Sequence, residues 1–91
     1  VHATDHTTSD RFETEIALIK VRCEGNERRD VLEIAEHFNA KVVDYSPESV
    51  ILRVYGGSEK LDAMTALFDE NAIVELVRSG KIVMTRALEI T

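Results

Sequence analysis

The feature that most constrains this chain is a change of apolar period that occurs twice in the same order. Ile16, Leu18, Ile19 and Val21, with Lys20 and Arg22 interleaved, have the spacing of a strand. Val31, Ile34, Ala35 and Phe38 then fall at i, i+3, i+4 and i+7, one stripe on a helix. Strand-like runs follow over residues 41–45 and 50–55, then a second helical stripe of Leu61, Met64, Leu67 and Phe68, then a fourth run over 73–77. The order β, α, β, β, α, β within 91 residues is the split βαβ pattern of a ferredoxin-like two-layer sandwich, with two helices covering one face of an antiparallel sheet.

The punctuation agrees with that order. Glu24-Gly25-Asn26 breaks the first run, and Asn26 is predicted to cap the first helix. Asn39 is predicted to stop it, because Asn tolerates the left-handed conformation that closes helices. Ser46-Pro47-Glu48-Ser49 reads as the turn of a hairpin, Ser58 as the cap of the second helix and Asn71 as its stop. Ser79-Gly80 admits a tight turn into an extra C-terminal strand over 81–85 or a bulge in one long strand, and the turn is the expectation. Residues 1–13 read as a linker or disordered tail and 14–88 as the domain.

A formal charge of −6 and a pI near 5.0 argue against binding the phosphate backbone of nucleic acid, which requires clustered Lys and Arg. Cys23 is the lone cysteine, so no internal disulfide forms, and a reducing cytoplasmic setting is the simpler expectation. No apolar run approaches the roughly 20 residues that span a bilayer, so no membrane partner is expected. The start at Val1 without Met suggests a fragment of a longer chain.

The residues offer little chemistry. Cys23 stands beside Glu24, whose charge disfavours a thiolate, so it reads as a small hydrophobe. His2 and His6 lie in the polar tail with only Asp5 nearby, and His37 falls on the polar side of a helix. The pairs Asp69 with Glu70 and Glu33 with Glu36 read as solvated surface. Gly56-Gly57-Ser58 could hold an anion at a helix start, but it lacks the length and Lys of a phosphate loop. An acylphosphatase-like hydrolase would need a basic loop after the first strand, where Glu24-Gly25-Asn26-Glu27 is acidic. No catalytic, metal or cofactor site is predicted.

A more telling pattern lies in the strands. A two-layer sandwich hides one sheet face, so its strands should alternate apolar and polar residues. Here Ile16 and Leu18 oppose Ala17, Ile19 and Val21, Ile51 opposes Val50, Leu52 and Val54, and Val83 opposes Ile82 and Met84. Apolar groups on both faces predict a surface that packs on another domain or protomer, with Ile16, Leu18 and Met84 in it.

Three stretches carry a family resemblance. Residues 15–21, 38–49 and 73–86, in this order and spacing, resemble the C-terminal half of the small regulatory subunits of acetolactate (acetohydroxyacid) synthase. The segment Gly57-Ser58-Glu59-Lys60-Leu61-Asp62-Ala63 also fits. Two positions depart: Asn71-Ala72 stands where the family usually has Phe-Gly, and Arg86-Ala87 where it has Arg-Gly.

The resemblance implies a non-catalytic domain that helps activate a separate catalytic subunit and confers feedback inhibition by a branched-chain amino acid. Thiamine diphosphate, Mg and FAD would then belong to the catalytic subunit, and the effector site to an N-terminal ACT domain of the full-length chain. A homodimer is expected, and Arg78 and Gly80 join Ile16, Leu18 and Met84 as contacts to the sister ACT domain, another protomer or the catalytic subunit. The alternative is a stand-alone ACT-like amino-acid-binding module with its ligand near Gly25 and Asn26.

Overall fold

The computed structural model describes residues 11–88. Its elements are β1 (Arg11–Arg22), α1 (Asn26–His37), β2 (Lys41–Tyr45), β3 (Ser49–Gly56), α2 (Ser58–Leu67), a 3-10 turn (Glu70–Ala72), β4 (Ile73–Arg78) and β5 (Ile82–Thr85). The antiparallel sheet runs β2-β3-β1-β4, with β5 paired to β1 as well. This is the expected ferredoxin-like sandwich with an added C-terminal strand.

The core forms where one side of each central strand meets the helices. Ala17, Ile19 and Val21 of β1 and Val50, Leu52 and Val54 of β3 are buried, together with Val31 and Ala35 of α1, Leu61 and Met64 of α2, Cys23 and Phe68. The period of two on the strands, and the i, i+4 spacing on α1 and i, i+3 spacing on α2, supply these side chains to one layer. Leu67, assigned to the stripe of α2 from its spacing, is instead exposed, because the helix ends there and Phe68 turns inward in its place.

The helix ends show how local chemistry decides boundaries. Asn39 does close α1, with φ at 59°, and the amides of Asn39 and Ala40 donate to the carbonyls of Glu36 and Ala35 (3.1 and 2.8 Å). Those paired bonds make a Schellman motif around a left-handed Asn. The start of the same helix differs from expectation, since Gly25 is the cap and Asn26 the first helical residue. Gly57 likewise caps α2, and the Ser58 hydroxyl is engaged elsewhere. Asn71 does not stop α2; its amide donates to the Asp69 side chain (3.1 Å), which caps the 3-10 turn.

Two further corrections concern the long strand β1. Residues 11–13, read as tail for want of an apolar period, are strand: Arg11, Phe12, Glu13 and Thr14 pair with Thr85, Met84, Val83 and Ile82. Cross-strand pairing, rather than intrinsic pattern, fixes them. The Ser79-Gly80 segment is a bulge and not a reversal, because β4 and β5 both run antiparallel to β1 along the same edge. From Ala17 to Thr14 β1 advances three residues while the opposite chain advances four, from Arg78 to Ile82. Gly80, at φ 80°, takes the backbone conformation this extra residue needs. The residues before Arg11, with His2 and His6, lie outside the described residues.

Candidate functional site: a free sheet face and an ion-paired bulge

Because odd-numbered β1 residues face the helices, the even-numbered ones face away, and none of the described elements covers them. Ile16 and Leu18 are each 41% exposed and Met84 69%. Register places Tyr55 beside Ile16 and Val77 beside Leu18, while Phe12 and Thr14 pair with Met84 and Ile82. The result is an apolar strip along β1 flanked on both sides. A shallow groove of about 170 Å³ crosses it, lined by Leu18, Lys20, Ile51, Glu75 and Val77. Lys20 and Glu75 are register partners and form an ion pair there at 2.9 Å.

Arg78 and Gly80, grouped with these residues from sequence, occupy a different place. Arg78 pairs with Ala17 in register and therefore projects to the helix side. Its Nε and Nη2 donate to the Oε2 and Oε1 of Glu15 (3.0 and 2.7 Å), and its Nη1 donates to Asp62 on α2. The Gly80 amide and the Ser58 hydroxyl donate to the same Glu15 carboxylate at 3.1 and 3.0 Å. Glu15 is 5% exposed, the one buried charged residue among those described. The hydrogen bonds from Arg78 hold its carboxyl down to about 2, burial opposes them, and Ser58 and Gly80 add to the lowering. Arg78 in turn is pushed further up by Glu15 and Asp62.

Sequence reading missed Glu15 as a site residue, although a signal was present. A carboxylate in line with Ala17, Ile19 and Val21 on the buried side of a strand requires a cation and donors to offset its desolvation. At the bulge, Ser79 completes the mesh: its amide donates to the Ile16 carbonyl (2.9 Å) and its hydroxyl accepts from the Ile16 amide (3.0 Å). A side-chain oxygen thus replaces a backbone carbonyl where the ladder is interrupted. Arg86 donates through Nε to the Arg11 carbonyl (3.1 Å), tying the far end of β5 to β1.

The other candidates lie elsewhere on the fold. Gly25 and Asn26 start α1, with Gly25 at φ 56°, beside an open surface of Arg28, Arg29, Leu32, Glu33 and Glu36. Arg28 is committed to the fold: its Nη2 donates to the carbonyls of Ser46 and Pro47 (2.5 and 2.6 Å) and its guanidinium lies 4.4 Å from the Tyr45 ring centroid. Cys23 is buried, and burial raises its thiol pKa. A cleft of about 280 Å³ at the start of α2 includes Gly57 and Ser58, and its charged lining of Glu13, Glu59 and Lys81 carries two acids against one cation, which disfavours an anion. Among the described residues no group of three or more His, Cys, Asp or Glu is placed to hold a metal, and no helix is long and apolar enough to cross a membrane.

A small sandwich of this strand order, with a polar network bracing its bulge and an apolar strip left open among the described residues, belongs to the class of ferredoxin-like α+β domains. The comparisons give that class a family. The family described as the small subunit of acetolactate synthase matches residues 14–87, and this chain belongs to it. It is 41% identical over 88 residues to the acetolactate synthase small subunit of Aquifex aeolicus, covering 96% of this chain and 46% of that protein. It is 38% identical over 74 residues to small subunit 2, chloroplastic, of Arabidopsis thaliana, covering 81% of this chain and 16% of that one. The crystal structure of the Thermotoga maritima small subunit superposes with a TM-score of 0.85 at 31% identity, covering 91% of this chain and 51% of that one. The chain thus spans about half the length of the bacterial relatives it matches.

Proposed function

We propose that this domain is the C-terminal contact module of an acetolactate synthase regulatory subunit. In this reading it binds a separate catalytic subunit, supports its activation and relays feedback inhibition in branched-chain amino acid biosynthesis. The chemistry, with thiamine diphosphate, Mg and FAD, resides on that catalytic subunit, and this domain contributes binding. The effector amino acid is assigned to an ACT domain in the other half of the full-length subunit. That subunit acts as a homodimer in the cytoplasm.

The observation that carries this reading is the strip of Ile16, Leu18, Tyr55, Val77, Ile82 and Met84, on a face that neither described helix covers. At about 25 cal/mol per Å² of apolar surface, covering a few such side chains contributes several kcal/mol to association. Family membership supplies the class of partner. The test is reconstitution: the intact small subunit is mixed with its catalytic subunit, and complex mass and synthase activity are measured. A complex with raised activity is expected. No complex and unchanged activity would overturn the reading.

A further inference from the structure

We propose that Glu15 is a register lock: by holding the extra residue of the bulge, it decides which side chains β5 shows on the open sheet face. With the lock closed these are Ile82 and Met84; without it they are Lys81 and Val83. The contact-module reading concerns what meets this face, whereas the lock concerns how the face is composed, so the two fail separately.

The bulge is confined to one position on β1. Ser79 still follows the register of β4, because it exchanges hydrogen bonds with Ile16, one step past the pair of Ala17 with Arg78. Ile82, three residues beyond Ser79, stands opposite Thr14, two residues before Ile16. Gly80 and Lys81 together therefore oppose Glu15 alone, two residues against one. Side chains alternate along a strand, so one extra residue exchanges the faces of all that follow it. Ile82 and Met84, opposite Thr14 and Phe12, join Ile16 and Leu18 on the open side. Lys81 goes to the helix side, where it lines the cleft with Glu13 and Ser58. Had the register of β4 continued unbroken, Lys81 would stand opposite Thr14 and Val83 opposite Phe12, and Ile82 and Met84 would turn toward the helices.

The residue opposite the bulge is the one that fastens it. Glu15 Oε2 accepts a hydrogen bond from the Gly80 amide at 3.1 Å, and the carboxylate is itself fixed by Arg78 and Ser58. Beyond the bulge β5 is four residues long and pairs with β1 alone among the described strands. Gly80, at φ 80°, can equally take the extended conformation that an unbroken ladder requires. Two registers are thus open to β5, and the hydrogen bond from Gly80 to Glu15 exists only in the bulged one. A buried ion pair is costly to desolvate and adds little stability over an apolar side chain of similar size, and fixing a register is the use that suits it.

The test reads the register on the intact small subunit alone, through paired cysteines oxidised to a disulfide and identified by peptide mass spectrometry. One form carries Phe12→Cys with Met84→Cys, the other Phe12→Cys with Val83→Cys. Directly opposed residues on adjacent strands have Cα atoms about 4.5–5.5 Å apart, within disulfide reach, while side chains on opposite faces point apart. With Glu15 in place the bridge is expected at Met84 and not at Val83. Glu15→Leu, which leaves Arg78 its partner Asp62, is expected to move the predominant bridge to Val83. Deleting Gly80 as well removes the extra residue without changing the faces of β5, so the bridge is expected to return to Met84. Circular dichroism checks that each form folds; if Glu15→Leu does not, Glu15→Gln carries the same comparison and should raise bridging at Val83. A folded Glu15 variant that still bridges only at Met84 would overturn the proposal. So would one that bridges at neither position, since β5 would then detach rather than slip, or a Gly80 deletion that fails to restore the bridge at Met84.

Discussion

Glu15 and Arg78 lie 63 residues apart in sequence and meet through two parallel hydrogen bonds of 3.0 and 2.7 Å across the seam between β1 and β4. The pair sits where β1 stops pairing with β4 and begins pairing with β5. It also reaches α2 through Ser58 and Asp62. One carboxylate thus joins the bulge, the sheet and the second helix. Glu15→Gln keeps the shape but loses the charge that Arg78 faces, so the melting temperature is expected to fall. Amide exchange should quicken first at Gly80 and along β5, which a hydrogen-exchange measurement reads directly.

The same pair sets an acid response. Because the Glu15 carboxyl is held down to about 2 in the folded state, its contribution is fully present above the ordinary carboxylate range and is lost as pH falls from there toward 2. The natural protein should lose stability over that window more steeply than Glu15→Gln, and the two melting curves should converge near its lower end. Parallel curves at every pH would show that Glu15 gains nothing from Arg78.

Asn39 gives a backbone prediction. Its φ of 59° is a conformation that Gly adopts freely and most residues resist. Asn39→Ala should cost about 1 kcal/mol in urea unfolding, and Asn39→Gly should be nearly neutral. Equal losses for both would mean that the Asn side chain, and not the backbone, secures this end of α1.

Leu61 provides the core control. It is fully buried between α2 and the sheet, so Leu61→Ala should cost about 2–5 kcal/mol. Leu18→Ser on the open face should change stability by less than about 1 kcal/mol while lowering binding of a hydrophobic dye. A large stability loss at Leu18 would mean that the exposed strip serves folding rather than contact.

Sequence period made most of this architecture legible. The inward set Ala17, Ile19 and Val21 and the outward Ile16 and Leu18 follow from alternation alone, and the stop at Asn39 from its tolerance of a positive φ. Whatever depended on contacts between distant residues was harder to read. Residues 11–13 are strand because residues 83–85 lie beside them, and Ser79-Gly80 is a bulge because β1 continues past it as a template. Ser58 looked like a cap because capping is the local use of a serine at a helix start; the Glu15 carboxylate takes its hydroxyl instead. Arg78 is grouped with the contact residues on the family resemblance of its segment, whereas its register opposite Ala17 turns it inward to Glu15. The common reason is that local pattern encodes which face a residue takes but not which distant partner waits there.

The central claim is that the face bearing Ile16, Leu18, Tyr55 and Met84 is covered when the subunit is at work. Oxidative footprinting of the intact small subunit, free and in complex with its catalytic subunit, tests this most directly, since Tyr55 and Met84 react readily when exposed. Labelling of both residues should drop sharply on complex formation, while Tyr45, exposed on the helix side beside Arg28, keeps its rate. Undiminished labelling of Tyr55 and Met84 in a complex that forms and activates the synthase would contradict it.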